Sequence, residues 1–137
     1  TLVKSSAASD VYKRQFIGNA FYRMSGAKLG KGVQINTAHV NDAGSVTLED
    51  GVVIGGNAII NAHLTEKGEL VMAPVSIGKD ALIGMGSVIQ PGCVIGEGAI
   101  VASRAVVPKW TKIPAGEVWA GVPARCIRLA DGSKPEQ

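Results

Sequence analysis

The side chains best suited to proton transfer, nucleophilic attack or soft-metal ligation in this 137-residue chain are two histidines, His39 and His63, and two cysteines, Cys93 and Cys126. Two cysteines outside any C-x-x-C pair are too few for a disulfide framework. Metal and redox readings therefore fail on count, and a reducing, cytoplasmic setting is expected. An imidazole with a reference pKa of about 6.5 exchanges a proton near neutrality. His63 stands where a regular pattern stops and the segment HLTEKGELVMAPVSIG begins, which is the root of a loop and a usual place for function. The alternative is a surface-loop histidine with no chemical role. His39 falls four residues after Ile35, at an inward position of its repeat unit, and reads as a buried or corner histidine or as a substrate contact.

The element that must position these groups is a six-residue repeat. From Ile77 the chain reads IGKDAL, IGMGSV, IQPGCV, IGEGAI, VASRAV, with an aliphatic residue at 77, 83, 89, 95, 101 and 107. The same register holds upstream at Leu29 and Ile35, then at Leu48, Ile54 and Ile60. Four residues on comes a small or medium side chain in most hexads: Val33, Val52, Ala58, Ala81, Ser87, Cys93, Ala99 and Ala105. A helix requires apolar residues three and four apart, and a half-buried strand requires alternation; a period of six fits a short strand plus a turn. The expected fold class is all-β: a parallel β-helix of about four coils starting near Leu29, Leu48, Ile77 and Ile95. One extra residue falls in the first coil, and an extruded loop occupies about residues 64–76. Asparagine, aspartate and glycine suit its corners. Asn36, Asn41, Asp42, Asn57 and Asn61 are therefore corner formers or polar groups available for ligand contact. Such a short solenoid leaves flat faces and open ends uncovered, so a homo-oligomer is expected, and a threefold axis suits a three-sided prism.

Composition narrows the function classes. Glycine numbers 18, charged residues are 18% and aromatics 4%, while 14 basic against 11 acidic side chains leave a net charge of +3. Without a basic stripe or stacking aromatics, no nucleic-acid partner is expected. No stretch approaches the roughly 20 apolar residues that span a bilayer, so no membrane segment is expected in this chain. Residues 1–15 share neither the spacing nor the glycine content of the rest and read as a non-native or disordered segment; SSAASDVYKRQ resembles translated adapter read-through. Phe16–Lys28 reads as a short amphipathic lead-in, residues 16–130 as the β-helix domain, and 131–137 as a disordered tail. The chain reads as the C-terminal part of something longer.

The hexads, the His63 loop and the ending IPAGEVWAGVPARCIR together resemble the hexapeptide-repeat acyltransferases, a left-handed β-helix family that includes sugar and antibiotic O-acetyltransferases. FYRMSGAKLGKGV and the stretch from NTAHVND to NAHLTEKG look nearer to hexapeptide domains of peptide-synthetase-like or membrane-anchored proteins. The left hand comes from this resemblance alone, because parallel crossovers are otherwise right-handed. The resemblance implies an enzyme, a homotrimer with sites between subunits, that moves an acetyl or other acyl group from coenzyme A to a hydroxyl or amine of a small acceptor, without a metal. It implies His63 as general base and backbone N–H groups near Gly84 and Met85 as oxyanion donors. Asn61, His39, Asn36 and Glu66 are the acceptor-side candidates, Glu66 either steadying the imidazole or binding an amine. Ser103 becomes a pantetheine neighbour, and Lys109, Lys112, Arg125 and Arg128 face the phosphates. The structural alternative for this ending is a cap in which Ile113, Trp119, Val122 and Ile127 close the solenoid and the charges form a solvated rim.

The segment ALIGMGSVIQPGCVIG also resembles γ-class carbonic anhydrases, but the positions of two of their ligands hold Met85 and Gln90, and two histidines cannot supply a three-imidazole shell. The alternative of a different class is a noncatalytic β-helix scaffold or oligomerisation module of a larger protein, which has no use for an imidazole at position 63.

Overall fold

The computed structural model describes residues 6–136. Its body is a three-sided parallel β-helix whose chain order is its stacking order. Face 1 stacks β1 (Lys28–Leu29), β4 (Val46–Leu48), β9 (Val75–Ile77), β12 (Val94–Ile95) and β15 (Lys112–Ile113). Face 2 stacks β2 (Gln34–Ile35), β5 (Val53–Ile54), β10 (Leu82–Ile83), β13 (Ile100–Val101) and β16 (Val118–Ala120), with β17 (Arg125–Arg128) antiparallel at its outer edge. Face 3 stacks β3 (His39–Val40), β6 (Ile59–Ile60), β11 (Val88–Ile89) and β14 (Val106–Val107). A hairpin, β7 (His63–Glu66) and β8 (Glu69–Met72), stands out from the second coil.

The six-residue period is the physical cause of this shape. Leu48, Ile54, Ile60, Ile77, Ile83, Ile89, Ile95, Val101 and Val107 are all buried, as are the small residues four positions on, from Val33 to Ala105. Register locks them into columns: Leu29, Leu48, Ile77, Ile95 and Ile113 lie one above another. Each inward aliphatic side chain removes apolar area worth about 1.5–3 kcal/mol from water. Glycine follows several inward isoleucines because successive coils touch there. A Cβ on Gly84 would lie 2.5 Å from the Ser103 nitrogen, and one on Gly96 would lie 2.4 Å from the Ala115 nitrogen. The corners use left-handed backbone at Asp42, Asn57 and Asp80, as the residue types favour, but also at Arg104 and Trp110.

The single extra residue of the first coil is divided unevenly. The corner after β2 is one residue short, so Val40 rather than His39 turns inward, and His39 is exposed on face 3 opposite Ile59. This corrects the inward placement of His39. The missing length returns two residues over, as a 3-10 turn (Ala43–Ser45) entered through Asp42. The extruded loop is likewise tighter than residues 64–76. The hairpin turns at Lys67 and Gly68, both with positive φ, a two-residue hairpin geometry, and Ala73 rejoins the coil by donating to the Ala62 carbonyl.

Both ends of the solenoid are covered. The expected boundary at residue 15 falls inside a helix, α1 (Ser6–Met24), which lies along the open edge of the first coil. The Asn19 amide donates to the Val33 carbonyl at 2.6 Å, Tyr22 to Thr37 at 3.0 Å and Arg23 to Gly30 at 3.0 Å, while Gln15 accepts from the Ile35 N–H at 2.9 Å. These are edge-strand groups, and side chains satisfy them where a further coil would otherwise pair. Burial pushes the Tyr22 phenol above its ordinary range. Residues 1–5, assigned to the same non-native segment, lie outside the described residues. At the other end Ile113 is buried and Trp119 packs on the core, donating its indole N–H to Glu117 at 2.7 Å. Val122 and Ile127 remain exposed and do not cap. Ser133 donates to Asp131 through both its N–H and its hydroxyl, folding part of the expected disordered tail into a turn.

Candidate active site

His63 is positioned from two sides. It begins β7 immediately after the buried Ala62, and its Nδ1 hydrogen-bonds Asp42 Oδ2 from the 3-10 turn one coil below. The Asp42 carboxylate accepts the Nδ1 proton, which leaves Nε2 as the nitrogen that can take one. Asp42 was named in the sequence only among polar corner groups; its pairing depends on the displaced extra residue. Glu66, the sequence candidate for steadying the imidazole, sits on the same hairpin but pairs with Lys109 Nζ instead.

A groove of about 360 Å³ opens beside His63, lined by Ile59, Asn61, Leu64, Thr65, Val88, Gln90, Pro91 and Lys109. Asn61 lies in it, its side-chain oxygen accepting from Asn41 at 3.0 Å. Gln90 accepts the Lys109 backbone N–H at 3.0 Å, and sequence reasoning missed it as a lining residue. The signal was available, since Asn61 and Gln90 each directly follow a face 3 strand.

The remaining candidates fall elsewhere. Asn36 lies on the ridge between faces 2 and 3, bonded to Gln15 of α1. Met85 and Ser103 lie on that ridge too, each following a face 2 strand, with Arg104 beside Ser103 as a cation the sequence reading passed over. The N–H of Gly84 donates to the Val101 carbonyl at 2.8 Å, so it is committed to the coil above. Arg125 pairs opposite Ala120, at the end of β16 nearest this ridge, and Arg128 opposite Val118. Lys112 points outward from face 1, opposite Val94. The four cations therefore form no single patch. Lys109 belongs to the His63 groove, and the arginines belong to the far edge of face 2. Strand β11 runs between the two ridges, so one chain does not bring Met85 to His63. Among the described residues no group of three or more His, Cys, Asp or Glu side chains is placed to hold a metal, and no helix is long and apolar enough to cross a membrane.

The bacterial transferase hexapeptide (six repeats) pattern matches residues 74–109, the run of coils from β9 to β14, and the chain has the left-handed β-helix fold of hexapeptide-repeat proteins. It is 31% identical over 113 residues to a delta-poly-L-ornithine synthetase of Acinetobacter baumannii, an alignment covering 82% of this chain and 8% of that protein. It is similar to a hexapeptide-repeat containing acetyltransferase from Vibrio cholerae O1 biovar eltor, solved with acetyl coenzyme A, at 26% identity and a TM-score of 0.70, covering 77% of this chain and 61% of that one. A galactoside acetyltransferase in complex with coenzyme A shares the fold at 21% identity and a TM-score of 0.65, covering 92% and 85%. The chain thus spans a small part of the curated relative and under two thirds of the Vibrio enzyme.

Proposed function

We propose that the chain is a coenzyme A-dependent acyltransferase, acting in the cytoplasm, that transfers an acetyl or other acyl group to a hydroxyl or amine of a small acceptor. One observation carries the reading: the candidate groups divide onto two ridges, each incomplete alone. His63, Asn61 and Lys109 stand on one ridge; Met85, Ser103 and, near its end, Arg125 stand on the other. A homotrimer that sets one ridge against the other ridge of the next copy assembles a whole site.

In that site the His63 Nε2 takes the proton of the acceptor O–H or N–H as the acceptor atom attacks the thioester carbonyl carbon. The carbonyl electron pair moves onto oxygen, where the Met85 N–H donates to it. Collapse expels the coenzyme A sulfur, which recovers the proton from His63. Asp42 holds the imidazole in the productive tautomer and stabilises its charged form. Asn61 orients the acceptor, and His39, exposed on the same face, is within the surface that a neighbouring copy would cover. The arginines and Lys109 bind donor phosphates.

A noncatalytic module of a longer protein is the second reading, favoured by the 8% coverage of the Acinetobacter synthetase. Calorimetric titration with coenzyme A and acetyl-CoA, run beside an Arg125→Ala, Arg128→Ala double variant, separates the two. Saturable binding that weakens in the variant supports the acyltransferase. No binding at millimolar ligand supports the module. Sedimentation of the same samples tests the trimer.

A further inference from the structure

The contact between Glu66 and Lys109 links parts of the chain 43 residues apart. Lys109 is held by its backbone to Gln90, so its ammonium is presented from the ridge that follows face 3. Glu66 is the last residue of β7, beside the Lys67–Gly68 turn. From Thr65 to Leu70 the hairpin is exposed. Among the described residues the Glu66–Lys109 pair is the side-chain bond that ties this outer half to the solenoid; its root is held by Asp42, which bonds His63 and the Ala62 N–H, and by the backbone bonds of Ala73 to Ala62 and of Gly92 to Ala73. The pair is also open to solvent, with Lys109 43% and Glu66 54% exposed, so a competing anion can reach the ammonium.

The geometry points to Glu66 as an internal competitor of the donor: its carboxylate occupies the Lys109 ammonium, and a donor phosphate displaces it, unpinning the hairpin that begins at His63. This rests on the reading of Lys109 as a phosphate contact. Donor binding and hairpin position are then coupled, because one cation cannot serve both anions fully. An exposed ion pair sets the scale, so removing the competing charge strengthens phosphate binding by about two- to fivefold and more at low salt than at high salt.

The test uses Glu66→Gln, which keeps size and polarity but removes the charge. Coenzyme A and pantetheine, which has the same arm without phosphates, are titrated into both proteins, and trypsin cleavage after Lys67 reports the hairpin. The expected result is tighter coenzyme A binding by the variant, unchanged pantetheine binding, wild-type cleavage that quickens when coenzyme A is added, and variant cleavage that is fast without it. A wild type that binds coenzyme A beside a variant of equal or weaker affinity overturns the competition and leaves the donor reading standing. Cleavage indifferent to both ligand and variant overturns the unpinning. A wild type that binds no coenzyme A overturns the donor reading and this inference together.

Discussion

Replacing Asp42 by asparagine isolates the charge behind His63. Asp42 adopts φ 62° and ψ 50°, a conformation asparagine tolerates, and the asparagine oxygen can still accept from Nδ1. The backbone and tautomer should therefore survive, and what disappears is the negative charge facing an imidazolium. Two unit charges about 4 Å apart interact by about 4 kcal/mol at an effective dielectric constant of about 20. The His63 and Asp42 side chains are 38% and 25% exposed. Discounting by about half for solvent leaves about 2 kcal/mol, or roughly thirtyfold in rate. Thiol release from acetyl-CoA, with an acceptor found by screening, should show kcat down by about thirtyfold, with coenzyme A affinity and thermal midpoint near wild type. Asp42→Ala should lose at least as much rate and also about 1 kcal/mol of stability, from a Cβ in left-handed backbone without a compensating side chain. An Asp42→Asn enzyme within threefold of wild type, or one whose coenzyme A binding falls in parallel with its rate, would refute the reasoning.

Other outcomes follow from the same geometry. His63→Ala should abolish turnover while leaving the unfolding midpoint nearly unchanged, as circular dichroism melting would show; a collapse of the fold would make the residue structural. Gly96→Ala should destabilise by about 3 kcal/mol in urea titration, because its Cβ would press on backbone of the next coil, whereas Gly98→Ala, with open space around it, should cost only about 1 kcal/mol for its positive φ. Equal losses would contradict the coil-contact explanation. Cys93 is buried and donates its thiol to the Pro108 carbonyl at 3.0 Å; burial pushes that thiol above its ordinary value of 9.0. Iodoacetamide should therefore modify Cys126 well before Cys93 in native protein. Because the folded state retains the Cys93 proton to higher pH than the unfolded chain, stability from this group is full below about pH 9 and falls as pH rises further. A Cys93→Ala protein should lose that alkaline slope.

Much of the fold could be read residue by residue. A six-residue aliphatic period has few physical solutions, and every inward position from Leu48 to Val107 is buried as that period requires. The errors arose where local pattern carried no register information. His39 was misplaced because one extra residue in a coil does not say which corner shortens. Residues 6–15 looked structureless because they lack an apolar stripe, yet α1 is held by side-chain bonds to an exposed strand edge. The resemblance points to a backbone donor near Gly84 and Met85, but it does not reveal that the coil above takes the Gly84 N–H.

The site was legible in part. His63 and Asn61 stood out because they interrupt or border the repeat, and both line one groove. The Asp42–His63 and Glu66–Lys109 pairs join residues 21 and 43 positions apart, and no local pattern encodes such a meeting. What the sequence determined by itself was the repeat, its inward columns and the point where it breaks, since these depend on side-chain size and period along the chain. The tertiary structure decided which ridge each polar group occupies and which charge it meets, because stacking brings together residues whose separation depends on every insertion between them.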